Sequence, residues 1–123
     1  MTQMTNYLWL LVFSVMLAVG QMLFKVVARG MQGVPLTDGM LTLIGMPMLY
    51  LALALYGAAT LLWIWLLSRI SLSQAYPWVA VAMATVPILA GAIFHERVSP
   101  AYWLGIALVV LGVSVTQYAA QSP

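Results

Sequence analysis

The amino-acid sequence predicts an all-α, polytopic membrane protein with four transmembrane helices, and three observations predict it. Of 123 residues, 65% are hydrophobic and 5% are charged, against about 25% charged in ordinary soluble chains. Four basic and two acidic side chains cannot cover the surface of a soluble domain of this length, and the mean hydropathy is +1.07. The apolar residues fall into four stretches, each close to the roughly 20 residues that a helix rising about 1.5 Å per residue needs to cross a hydrocarbon core of about 30 Å. Aromatic residues, among them Tyr7, Trp9, Tyr50, Trp65, Trp78, Trp103 and Tyr118, collect near the ends of these stretches, as in the belts that mark membrane interfaces.

The first span runs from about Tyr7 to Ala28 and is free of charge until Lys25. No basic region precedes it as in a cleaved signal peptide, so it is read as a retained span. From Arg29 to Asp38 the chain carries Gly30, Gly33 and Pro35, with Gly39 next, and this density of breakers predicts the longest loop. The second span is placed at Pro47 to Leu67, with the proline in its first turn; a start at Met40 would give 28 residues, too many for an untilted crossing. Met40 to Met46 is then an interfacial stretch or a first turn kinked at Gly45 and Pro47, and both alternatives stay open. The third span, about Ser73 to Phe94, contains Pro77 and Pro87, each removing a backbone donor, and a bend is expected near Pro87. Ser99-Pro100 opens the fourth span as an N-cap hydroxyl followed by proline, and that helix continues to about Tyr118. Residues 7-28, 47-67, 73-94 and 100-118 thus form one four-helix domain over 1-123. Basic residues favour cytoplasmic loops one and three, with Lys25, Arg29 and Arg97 against Arg69, a bias too small to fix the orientation.

The polar inventory narrows the chemistry. With no cysteine and one histidine, His95, disulfides, thiolate sites and a metal site are not expected, nor is any cofactor. No paired carboxylates, nucleophile with base or phosphate-cradling glycine loop point to an enzyme, and a net charge of +2 gives no reason to expect a nucleic-acid partner. Gln21, Lys25 and Arg29 recur one turn apart and share a helix face. They form either a stripe that holds an anionic group, a phosphate above all, at the edge of the hydrocarbon, or two cations that reach back to the headgroups with their stems in lipid. The carboxylates, Asp38 and Glu96, both fall in predicted loops, whereas a proton-driven carrier of hydrophobic cations needs one within the membrane. Glu96 is read either as a substrate-facing group for a proton or an amine, or as a loop carboxylate paired with Arg97 or facing the positive end of the fourth helix. Tyr76 is either a donor to a sugar or phosphate, or part of the aromatic belt. Gly105 and Gly112, two turns apart, mark a face on which another helix can approach closely, within the four-helix unit or across a dimer.

Gly20-Gln21 with Lys25, then Ala75-Tyr76-Pro77, then His95-Glu96 followed by Val98-Ser99-Pro100, Trp103 and Gly105 resemble the motif order of the small multidrug resistance type of four-helix transporter, within the drug/metabolite transporter group. Within it the chain is most similar to the aminoarabinose-phosphoundecaprenol flippase subunits. The resemblance implies four helices per subunit, pairing as a homodimer or a heterodimer with a similar four-helix subunit, and movement of an undecaprenyl-phosphate-linked sugar across the bacterial inner membrane. Lys25 would hold the phosphate of this polyprenyl phosphate-linked substrate, with Gln21, Tyr76 and Arg29 lining the groove among membrane lipids. Aligning the helix-one lysine of the multidrug branch with Lys25 puts Leu17 where that branch has its carboxylate. Two other readings remain at this stage: a proton-coupled exporter of cations or small metabolites using Glu96, and a non-transporting subunit that stabilises another membrane protein.

Overall fold

The structure, a computed structural model, describes residues 3–121. Its elements are α1 (Gln3–Arg29), α2 (Leu36–Ile44), α3 (Pro47–Leu67), α4 (Leu72–Ala75), a 3-10 turn (Tyr76–Trp78), α5 (Val79–Phe94) and α6 (Pro100–Gln121). Among the described residues, Met4–Arg29, Pro47–Leu67, Leu72–Phe94 and Pro100–Ala119 are long and apolar enough to cross a membrane. The chain is therefore a multi-pass membrane protein. In hydrocarbon, where water cannot satisfy the backbone, helices of this length bond their own peptide groups.

Helix α1 is the hub. It packs on α3 and α5, while α6 packs on α5, α4 and the 3-10 turn. Leu10, Ser14, Ala18 and Met22 are buried at intervals of four residues, which makes one continuous ridge along α1. The ring of Trp9 meets that of Trp65, so α1 and α3 are antiparallel. Tyr7 meets Trp78, and Arg29 reaches Phe94, so α1 and α5 run parallel. One end of the bundle thus gathers Lys25, Arg29, the start of α3, the end of α5 and the start of α6. The other end holds Arg69, α4 and the 3-10 turn. The core divides accordingly: Leu10, Phe13, Ala59, Leu66 and Ala75 pack toward the Arg69 end, and Met22, Ala90 and Phe94 toward the Lys25 end. No residue of α6 between Pro100 and Ala119 is buried.

Local chemistry explains the boundaries and amends two expectations. The Ser99 hydroxyl accepts from the Tyr102 N–H at 3.3 Å, the cap that opens α6. The region between Arg29 and Asp38 is not loop throughout, because Pro35 takes the N-cap position of α2 and places Asp38 in that helix's first turn, where its carboxylate faces the positive end of the dipole. Met40 to Met46 belongs mostly to this separate short helix, which ends at Gly45 before Pro47 starts α3. Gly33, at φ +79°, supplies the left-handed residue that turns the chain between α1 and α2. In the third span the change of helix type falls at Pro77, inside the 3-10 turn, and α5 runs through Pro87 as unbroken helix.

The 3-10 turn is tied to α1. The buried Ser14 hydroxyl lies 2.9 Å from the Trp78 carbonyl oxygen and 3.0 Å from that of Leu10, and its single proton serves one acceptor at a time. Ser14→Ala removes the donor shared by these carbonyls and is expected to destabilise the protein by about 1 kcal/mol, read as a lower midpoint of thermal unfolding in detergent.

Candidate functional site

Gln21 and Lys25 lie one turn apart on α1, and the structure adds the group that Lys25 faces. Its Nζ is 3.3 Å from Oε2 of Glu96, with the two side chains 44% and 45% exposed. Glu96 reaches this position because α5 ends in a sharp reversal. His95 adopts a left-handed conformation, φ 58° and ψ 29°, and the Glu96 N–H donates back to the Ala90 carbonyl at 3.4 Å. This closure of a helix C-terminus is normally given to glycine, because a Cβ is crowded there.

Arg29 holds the same reversal from the other side. Its guanidinium donates to the Phe94 carbonyl at 3.3 Å and lies 4.5 Å from the centre of the Phe94 ring. It places a cation at the negative end of α5 and over an aromatic face. Arg29 is thus engaged with the end of α5, one step away from the cavity beside Lys25.

That cavity, of about 340 Å³, lies between α1 and α5 and is lined by Gln21, Lys25 and Glu96 together with Met22, Phe24, Ala28, Val86, Ala90 and Phe94. A second, of about 360 Å³, lies further along α1 toward the middle of the bundle, with Leu17, Tyr56, Val79, Ala82, Met83, Pro87 and Tyr102 in its wall. Gln21 and Val86 border both. The Gln21 amide donates to the Tyr56 hydroxyl at 3.3 Å, which makes Tyr56 a polar residue of the site that the sequence analysis missed. A signal was present: unlike Tyr50, Tyr56 falls at the centre of its span, where an aromatic belt does not account for a tyrosine. Leu17 makes the deeper cavity apolar on that side.

Tyr76 is not brought to Lys25. It stands in the 3-10 turn at the Arg69 end, exposed, with its ring edge-on to Trp63 at 6.4 Å. Gly105 and Gly112 lie on α6, where a Cβ would meet no atom within 4 Å; their face is open rather than packed within the four-helix unit. Among the described residues no group of three or more His, Cys, Asp or Glu could hold a metal ion.

A curated relative, the probable 4-amino-4-deoxy-L-arabinose-phosphoundecaprenol flippase subunit ArnE of Salmonella paratyphi C, is 38% identical over 86 residues, covering 70% of this chain and 78% of its own. The chain belongs to the aminoarabinose-phosphoundecaprenol flippase subunit family. The proteins of the same description from Salmonella paratyphi B and Salmonella typhimurium are 40% identical over 75 residues, 59% of this chain and 68% of theirs. No protein-family model matches the chain, and no solved structure does. Flippase subunits are transporters, not enzymes, and the cavities here are lined by one ion pair, one amide and one hydrogen-bonded tyrosine hydroxyl beside apolar walls.

Two substitutions test this geometry. At Gly20 a Cβ would stand 3.2 Å from the Tyr56 ring, so Gly20→Val is expected to push α1 and α3 apart at the Gln21–Tyr56 contact and to lower stability by about 1–3 kcal/mol, measured by thermal unfolding in detergent. At the reversal, His95→Gly is expected to unfold at the same or a higher temperature than the parent, and His95→Val to lose about 1 kcal/mol or more.

Proposed function

We propose that the chain is one subunit of a flippase that carries an undecaprenyl-phosphate-linked sugar across the bacterial inner membrane, Lys25 holding the phosphate while the polar head turns past the bundle and the tail stays in lipid. The observation that carries this reading is the placement of Lys25 on the wall of a cavity between two spans, in a chain whose relatives are described as flippase subunits. An ammonium at that position offers a phosphate a charge-assisted contact at the edge of the hydrocarbon. Gln21 and Tyr56 present hydrogen-bonding groups to the sugar hydroxyls on the way to the deeper cavity, and Arg29 fixes the end of α5 on which the cavity wall depends. Tyr76, at the opposite end, meets the head as it leaves or enters there.

The unburied face of α6, with its small residues at Gly105 and Gly112, is the surface assigned to a second four-helix subunit, identical or similar. Coupling to protons is not required where the head group is consumed on the far side. The alternative, a cation exporter working through Glu96, is less well supported, because Glu96 is paired with Lys25 and Leu17 leaves the first helix without a carboxylate.

Lys25→Ala is expected to abolish flipping in proteoliposomes loaded with a polyprenyl phosphate glycoside, a loss of at least about tenfold for removal of a charged contact to phosphate. Normal flipping by this variant would sink the phosphate-holding role. Lys25→Arg tests whether charge alone suffices. Cells expressing the chain are expected to show no altered sensitivity to quaternary amines, and a clear resistance phenotype would favour the exporter.

A further inference from the structure

The nine residues of α2 (Leu36–Ile44) make a helix too short to hold its shape in water without a surface to pack on, since isolated helices below about 12–15 residues are marginal. The bundle supplies little of that surface. Among the described residues no other helix packs extensively on α2, and Gly39, the residue of α2 that is buried, faces Met31 and Val34 in the preceding turn. The large apolar side chains are left open: Leu36 is 80% exposed, Leu41 74%, Ile44 59% and Met40 53%. Leu36, Met40 and Ile44 recur every four residues with Leu41 beside them, so they share one face, which Thr37 alone interrupts. Asp38 and Thr42 recur in the same way on the other side, where the Thr42 hydroxyl donates to the Asp38 carbonyl at 3.0 Å.

We propose that α2 lies in the membrane interface at the Lys25 end, with Leu36, Met40, Leu41 and Ile44 in the acyl region and Asp38 and Thr42 toward water, and that this foot sets the depth at which Lys25 is held. The partner is a lipid surface because the apolar face of α2 continues that of a span. Three peptide steps, reaching at most about 11 Å, lead from Ile44 to Pro47, the first residue of α3, where Tyr50, Leu51 and Leu53 are exposed in turn. The Tyr50 hydroxyl donates to the Ile44 carbonyl, which ties the end of α2 to that surface. The polar side of α2 carries an acidic and no basic residue, so its attachment draws on apolar insertion rather than on attraction to anionic lipids. The link to Lys25 is made by backbone. Beyond α1 the N–H groups of Gly30, Met31, Gln32 and Val34 donate to the carbonyls of Val27, Ala28, Arg29 and Met31, and the Met46 side chain lies against Gly30. Gly30 follows Lys25 by little more than a turn, so the end of α1 moves along the membrane normal together with α2. This inference goes beyond the flippase reading and does not depend on it.

The chain contains no cysteine, so single nitroxide labels can be introduced through Leu36→Cys, Asp38→Cys, Met40→Cys, Leu41→Cys, Thr42→Cys and Ile44→Cys. Each full chain is held, in the assembly in which it is extracted, in phosphatidylcholine nanodiscs, and collisions of the label with oxygen, which partitions into the acyl region, are compared with collisions with a water-soluble nickel chelate. Labels at the four apolar positions are expected about 5–10 Å below the phosphates, those at 38 and 42 in water, and neither set is expected to shift when anionic lipid is added. Nickel access at all six positions overturns the proposal by placing α2 in water. Shielding of the apolar positions from both reagents overturns it in favour of a protein cover, and spin–spin broadening between singly labelled chains would identify that cover as a second copy. Depth-setting is read separately from a label introduced by Val26→Cys, at an exposed position next to Lys25. Leu36→Asp combined with Leu41→Asp is expected to release α2 into water and to move the Val26 label by about 3 Å or more along the normal, the rise of two helical residues. A label at 26 that keeps its depth after α2 is released overturns the depth-setting role, and failure of the two aspartates to release α2 overturns its attachment by apolar insertion.

Discussion

Hydrocarbon gives a peptide group nothing to bond with except another peptide group, and most of this structure follows from that constraint. Irregular backbone among the described residues is kept to the ends of the long helices, at residues 30–35, at Gly45-Met46, at residues 68–71 and between Phe94 and Pro100. The one departure inside a span, the 3-10 turn at Tyr76–Trp78, occurs where Ser14 supplies a hydroxyl to the Trp78 carbonyl. Polar side chains face the same limit. Hydroxyls of Thr60, Thr85 and Ser114 bond to carbonyls four residues earlier on their own helices, which satisfies them locally without recruiting a neighbour.

The few charges are used with similar economy. Arg29 closes the end of α5, Arg69 lies over the Trp65 ring at 4.5 Å, and Asp38 faces the start of α2. Among the described residues, Lys25 and Glu96 have their charges turned on each other beside a cavity. The Arg29 and His95 interactions concern the backbone of α5, whereas the ion pair lines the cavity beside it. The site therefore has a scaffold and a contact surface made from neighbouring residues with separate tasks.

The span positions could be read from hydropathy and from single cues such as Ser99-Pro100, because a membrane helix must satisfy its backbone within one local segment. The shared face of Gln21, Lys25 and Arg29 was equally legible, as a property of helical repeat. Arg29 nevertheless has a different task from Lys25, and no periodicity separates them; the distinction arises from which of the two reaches the Phe94 carbonyl. The partner of Glu96 was also out of reach. Sequence proximity favours Arg97, but a left-handed residue at His95 redirects the chain toward α1, and nothing in a histidine announces that conformation as a glycine would. Tyr76 shares motif company with Lys25 along the chain and stands at the opposite end of the bundle, because α1 and α5 run in the same direction and the tyrosine precedes α5.

The parallel arrangement of α1 and α5 also has a consequence in time. Lys25 is made early, and its carboxylate follows some seventy residues later, an interval of several seconds at synthesis rates of about 5–20 residues per second. For that interval the ammonium must be tolerated by the membrane without its counter-ion. A lysine in the last turns of a first span meets this condition, since lipid headgroups can hold it until α5 is delivered. The same cation placed at the middle of α1 would have to cross into hydrocarbon alone, so the order of manufacture as well as the geometry of the finished bundle favours a charge at the end of the helix.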